Sequence, residues 1–366
     1  MSEPPSPPQV TSALGGSGLD PGTATVAALR RALTEGALTA AELTAFYLSR
    51  IERLNPGLRA VISVSPQAAA DARASDEARA RGSAPGPLAG IPVLIKDNIA
   101  VAGMPATAGS PALAEADQDE AFLVTGLREA GAVILGKANL SEWAGFRSSH
   151  STSGWSTLGG QAVNPHGRGR NPSGSSSGSG VAVAAGLAPL AVGTETDGSI
   201  VCPASACGIV GIKPTLGLVS RSGIVPISLA QDTAGPMTRS VADAAALLSV
   251  LAAPDPADPA TAPAAVRARD YTGYLAAAVN RECNALVTSF QRAQVLDVTV
   301  PPKNSVYRRN SEERIDATIF GEADSQPTVT GPKGTAAVGA GKRTEVCQHT
   351  VTPLERMEDK GVLSTQ

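Results

Sequence analysis

The chain has 366 residues, enough to bury a substantial core, and 42% of them are hydrophobic while 17% are charged, below the ~25% of average soluble proteins. A net charge of −3 with acidic and basic residues dispersed leaves no electrostatic footprint for nucleic acid or an anionic membrane, so the expected partner is a small-molecule or peptide substrate. Cys202, Cys207, Cys283 and Cys347 match no zinc spacing and no dense disulfide framework, no run approaches ~18 apolar residues, and the start shows no signal segment, so reduced thiols and a cytoplasmic location are expected.

Residues 1–22 are rich in Pro, Ser and Gly without periodicity, and are expected to form a disordered leader. Thr39 precedes Glu42 at capping-box spacing and opens a helix with Leu43, Phe46, Tyr47, Ile51 and Leu54 on one face, which Pro56 should stop. Residues 60–64 read as a strand, 66–81 as an Ala-rich helix and 90–95 as a buried strand. A helical pattern over 122–130 leads into a buried strand at 132–136, and 139–143 begins another helical turn. Residues 181–190 are apolar and helical in length, 208–212 form a further buried run, and Ser240 with Asp243 caps a helix that reaches Leu251. This alternation predicts an α/β fold with helices on both faces of a sheet.

Beyond about Asp270, Lys, Arg, Asn, Thr and Gly dominate, and only residues 295–300 read as a strand. The tail from Asp324 looks poorly ordered. The expected organisation is therefore a leader at 1–22, a domain at 23–270 and an atypical segment at 271–366 produced by truncation or a shifted reading frame.

A serine acts as a nucleophile only when a base takes its proton. The Ser/Gly loop at 171–180 runs directly into apolar 181–185, so its glycines lie at a helix N-terminus, where a phosphate could sit, but no Gly-Lys-Ser/Thr follows and the Walker pattern fails. Gly174 to Gly178 also matches G-x-S-x-G with Ser176 central. That motif needs a preceding strand, which 164–172 does not offer, and a downstream histidine, for which only His349 in the tail qualifies; His150 and His166 precede the loop. Lys96 ends a buried strand at the carboxyl rim where α/β folds bind ligands, and burial lowers a lysine's pKa. Lys137 and Lys213 also follow buried runs, so position does not choose among the three.

Four ordered motifs carry a resemblance: residues 86–98 (GPLAGIPVLIKDN), 174–179 (GSSSGS), 193–204 (GTETDGSIVCPA) and 211–215 (GIKPT). Together they resemble the amidase signature family, and 193–204 with 231–237 are similar to its bacterial peptide amidase branch. The resemblance implies an amidase-signature fold with a large mixed β-sheet, and a Ser-Ser-Lys triad in which Ser199 is the nucleophile, Ser175 a bridging serine held by a cis peptide bond and Lys96 the base. It implies an oxyanion hole from the backbone N–H groups of Thr196, Asp197, Gly198 and Ser199, an acyl-enzyme, and hydrolysis of carboxylic amides such as C-terminal peptide carboxamides without metal or organic cofactor. It also leaves room for an inactive homologue serving as a binding or amidotransferase-type subunit. Ser173 and Ser177 stand where the wider family has glycines, and Val201 where it has arginine, as in the peptide amidase branch. Residues 216–221 are expected to line or support the cleft.

Overall fold

A computed structural model describes residues 19–83, 86–116, 118–148, 150–167, 169–261 and 271, and the backbone alone at 296–297, 328–331 and 334–337. The first helix, α1 (Val26–Thr34), follows an N-cap at Thr25, whose side chain accepts from the Ala28 N–H. It has no counterpart among the expected elements, although Val26, Leu29 and Leu33 bury one face at helical spacing. Helix α2 (Ala40–Leu58) opens with the capping box foreseen at Thr39 and Glu42. Pro56 does not stop it but lies in its last turn, where only two further residues follow before the left-handed Arg59 ends the helix.

The chain continues through β1 (Val61–Val64), α3 (Ala68–Ala80), β2 (Pro92–Lys96), α4 (Phe122–Glu129) and β3 (Val133–Ala138). The helical turn expected at 139–143 is instead a 3-10 turn at Glu142–Gly145 with Trp143 and Ala144 in left-handed backbone. A small antiparallel pair, β4 (Trp155–Ser156) with β5 (Gly160–Gln161), precedes α5 (Ser177–Ala184). This helix starts inside the Ser/Gly loop and ends well before residue 190, so that Leu190 opens β6 (Leu190–Glu195). The early start has a steric cause: a Cβ on Gly178 would lie 2.3 Å from the Ala60 carbonyl oxygen and 2.4 Å from that of Asn139, so only glycine lets the first turn approach those backbones.

Next come α6 (Val201–Ala206), β7 (Val210–Gly211), β8 (Lys213–Pro214), β9 (Thr233–Thr238) and α7 (Val241–Leu251). Strand β9 has no counterpart among the expected elements, and it contains the turn-forming residue types Gly235 and Pro236. Of the strand expected at 295–300, residues 296–297 form β10, which pairs with β8; the remainder lies outside the described residues, as do Cys283, Cys347, His349 and residues 1–18. Backbone is also described for a hairpin of β11 (Thr328–Gly331) and β12 (Gly334–Ala337).

Six strands form one mixed sheet in the order β1-β3-β2-β6-β9-β7, flanked by helices. Strand β2 lies parallel to both β3 and β6, while β9 runs antiparallel to β6 and β7. Every residue of β2, β3, β6 and β9 is buried, which explains continuous apolar runs in place of alternation. The carboxyl ends of β2 and β6 are thereby neighbours, and the polar residues of the sheet collect there. Among the described residues no helix is long and apolar enough to cross a membrane.

Candidate active site

Lys96 is the last residue of β2 and is fully buried. Its Nζ lies 2.8 Å from Ser175 Oγ, 2.8 Å from Thr194 Oγ1 and 3.1 Å from the Thr194 carbonyl oxygen. Among the described residues no carboxylate touches it. Burial drives its pKa from 10.5 down to about 7, with the more distant charges of Glu195 and Asp232 pulling the other way. The neutral amine is thus raised by about three orders of magnitude at neutral pH relative to an ordinary lysine.

The other two lysines have different partners. Lys137, on β3, donates to the Pro105 carbonyl oxygen at 2.8 Å and sits 3.3 Å from Asp97 Oδ1, both side chains about 1% exposed. Burial lowers the Lys137 pKa and raises that of Asp97, and their mutual attraction opposes both shifts. Lys213 is partly exposed, donates to the Thr196 carbonyl oxygen at 2.7 Å and lies 3.9 Å from Glu195 Oε1. Among the described residues, Lys96 is the lysine in contact with a serine hydroxyl.

Ser175 follows a cis peptide bond from Gly174 and is 2% exposed. Its carbonyl accepts from the Ser141 N–H at 3.0 Å. The Ser176 N–H donates to the Ser199 carbonyl oxygen at 3.0 Å, which ties the two serine segments together. Ser176 itself is fully buried, its hydroxyl donating to the Thr194 carbonyl and accepting from the Thr194 N–H. A serine so engaged is no nucleophile elbow. Ser199, at the turn into α6, borders the same cleft as Ser175, and its hydroxyl has no hydrogen-bond partner among the described residues.

Glu195 shapes the turn that carries Ser199. Its buried carboxylate accepts from the N–H groups of Gly198 at 2.8 Å, Ile200 at 2.6 Å and Val201 at 3.0 Å. Such charge-assisted bonds hold a loop more firmly than neutral ones. The Gly198 N–H, which the resemblance assigns to an oxyanion hole with Thr196, Asp197 and Ser199, donates to Glu195 in this structure. Gly198 has φ +80°, the left-handed region that glycine adopts without penalty, and this lets the chain reverse before Ser199. The residue type gave no hint of Glu195's part, since a buried carboxylate bonding its own loop is visible only in three dimensions.

The cleft has a volume of about 140 Å³. Ser175, Thr194, Ser199 and Asn98 supply polar lining, and Ile224, Val225, Pro226, Ile227 and Leu229 form an apolar wall. Asp232 holds that wall in place by accepting from the Ile227 and Ser228 N–H groups at 2.7 and 2.8 Å, and takes the Thr196 hydroxyl at 2.5 Å. Of residues 216–221, only Arg221 borders the cleft, bonded to Asp258 through its Nε and Nη2. The histidines are elsewhere: His166 Nε2 lies 2.9 Å from the Cys207 carbonyl oxygen, and His150 is in an exposed turn. Cys207 is buried, its thiol pushed up to about 12, so it stays protonated and inert.

A buried lysine and two serine segments thus meet at the rim of a mixed sheet, and the family model for amidases matches residues 42–307. The chain belongs to the amidase family. It is 49% identical over 242 residues to a probable amidase of Arabidopsis thaliana, covering 65% of this chain and 47% of that one. It is 46% identical over 250 residues to a glutamyl-tRNA(Gln) amidotransferase subunit from Chloroflexus aurantiacus, covering 68% and 50%. Among solved structures it is similar to the native peptide amidase of Stenotrophomonas maltophilia, at 57% identity and a TM-score of 0.68, covering 69% of this chain and 53% of that one. The chain thus spans about half the length of the relatives it matches.

Proposed function

We propose that this chain carries an amide-hydrolase site in which Ser199 is the nucleophile, Ser175 the bridge and Lys96 the base, acting on C-terminal carboxamides of peptides or related carboxylic amides. The observation that carries the reading is the buried, lowered-pKa Lys96 amine 2.8 Å from Ser175 Oγ, beside a cleft that Ser199 shares. Ser199 Oγ attacks the amide carbon as its proton moves to Ser175 and that of Ser175 moves to Lys96. The C–N bond then breaks, and the proton returns through Ser175 to the leaving nitrogen, giving ammonia or an amine and an acyl-enzyme on Ser199. Water repeats the relay and releases the carboxylic acid. Backbone N–H groups of the 196–199 turn, Ser199 foremost, are the candidate donors to the tetrahedral oxyanion.

The peptide-amide preference rests on likeness to the Stenotrophomonas peptide amidase. The amidotransferase relatives favour a second reading, a subunit that works with a partner. Ammonia release from a blocked dipeptide carboxamide, measured with this protein alone, separates the two. A fluorophosphonate should label Ser199, and Ser199→Ala or Lys96→Ala should lower hydrolysis by about a thousandfold or more. Retention of most of the rate by Lys96→Ala together with its loss in His166→Ala would sink the lysine mechanism.

A further inference from the structure

The apolar wall of the cleft and the turn that carries Ser199 are joined through one carboxylate. The wall lies in a stretch between β8 and β9 that has neither helix nor strand, apart from a single bridge from Ile224 to Ile99, and its Leu229 is 73% exposed. The two oxygens of Asp232 face different partners. Oδ2 accepts from the Ile227 and Ser228 N–H groups of the wall, at 2.7 and 2.8 Å, while Oδ1 accepts from the Thr196 hydroxyl at 2.5 Å. Thr196 precedes Ser199 by three positions and is held from its other end too, since its carbonyl accepts from Lys213 Nζ at 2.7 Å.

Hydrogen bonds to a carboxylate are short and strong, so a displacement of the wall is passed to Thr196 and from there to the N–H groups of the 196–199 turn. A primary carboxamide loses only ammonia on its leaving side. Any substrate side chain that reaches the wall therefore belongs to the acyl side of the amide. An apolar side chain there is taken out of water against Ile224, Pro226 and Ile227, whereas an acidic one meets the carboxylates of Glu195 and Asp232, with the Arg221 guanidinium already engaged by Asp258. Binding energy from such a remote group raises kcat only when it is expressed in the transition state, and the bond from Asp232 to Thr196 gives it a route to the turn.

We propose that Asp232 is a positioning residue that couples the apolar wall to the Ser199 turn, so that an apolar side chain on the acyl side of the amide speeds the chemical step as well as tightening binding. This rests on the Ser199, Ser175, Lys96 reading.

The test uses the full chain with Thr196→Val, Asp232→Asn and Asp232→Ala. The kcat and KM are measured for two blocked dipeptide carboxamides that differ only in the C-terminal residue, leucine or glycine, at about pH 9. Removing the Asp232 charge takes the Lys96 pKa further down from about 7, so at that pH the amine is neutral in every variant. In the unsubstituted protein leucine should raise kcat about tenfold and lower KM about tenfold relative to glycine. Thr196→Val cuts the tie but leaves Asp232 on the wall, so the kcat advantage should shrink to within about twofold while the KM advantage stays. Asp232→Asn can keep the tie in the opposite sense, its Oδ1 accepting from the wall and its Nδ2 donating to Thr196 Oγ1, and should hold the kcat advantage to within about threefold. Asp232→Ala frees the wall as well and should lose both advantages.

A tie that only stabilises the fold would slow both substrates by one factor in Thr196→Val and leave their kcat ratio unchanged, and this overturns the inference. Equal kcat for the two carboxamides in the unsubstituted protein, beside an inert Lys96→Ala, removes only the role of Asp232. Full activity in Lys96→Ala, or no hydrolysis of either carboxamide by the unsubstituted protein, would instead bring down the triad reading beneath it.

Discussion

Two buried lysines stand side by side on parallel strands, Lys96 at the end of β2 and Lys137 in β3, with Ile95 in register with Lys137 and Lys96 with Ala138. Both are fully buried and both have their pKa lowered by burial. Their partners differ in kind. Lys137 meets the Asp97 carboxylate and fastens β3 to the segment after β2, whereas Lys96 meets two hydroxyls and a carbonyl, which bind an amine as readily as an ammonium. Depth of burial does not distinguish these two lysines. The charge of the nearest partner does.

The comparison breaks most forcefully at Lys137. Lys137→Met strands the buried Asp97 carboxylate and should cost about 3–5 kcal/mol in urea unfolding, much of it regained when Asp97→Asn is added. Lys96→Met should cost less, about 1–2 kcal/mol, because the hydroxyls of Ser175 and Thr194 can reorient, although it removes the proposed base altogether.

Titration sharpens the contrast further. Since the proposed base must be neutral to act, the rate of Ser199 reaction with a fluorophosphonate should rise about tenfold per unit below pH 7 and level off above the Lys96 pKa of about 7. The same group affects stability with a definite sign. Between about 7 and 10.5 the unfolded chain binds a proton that the folded chain does not, so the Lys96 contribution becomes more favourable as pH rises across that window, and Lys96→Met should flatten this part of the curve. At the small end, Thr39→Ala removes the α2 capping box at the start of that helix and should cost about 1 kcal/mol without moving the pH profile.

Elements whose signals are local were legible along the chain. The N-caps of α2 and α7, the Ala-rich run of α3 and the continuous apolar runs of β2 and β3 placed these elements to within a few residues, because such signals depend on neighbours in sequence. Strand β9 was not, since Gly235 and Pro236 argue for a turn and only pairing with β6 and β7 overrides them. The start of α5 was misplaced for a similar reason: serines and glycines form a helical turn there because backbone from residues 60 and 139 leaves room for nothing larger.

What the sequence alone determined is the inventory: the ordered motifs, the serines at 175 and 199, and three lysines each placed after a buried run. Which lysine meets a serine, that the Gly198 N–H is taken by Glu195, and that Asn98 reaches Lys96 only through Thr194 were decided by the tertiary structure. The reason is physical. Hydrogen-bond direction and pKa depend on distances of a few ångströms between residues as much as 98 positions apart, and no local pattern of side chains encodes them.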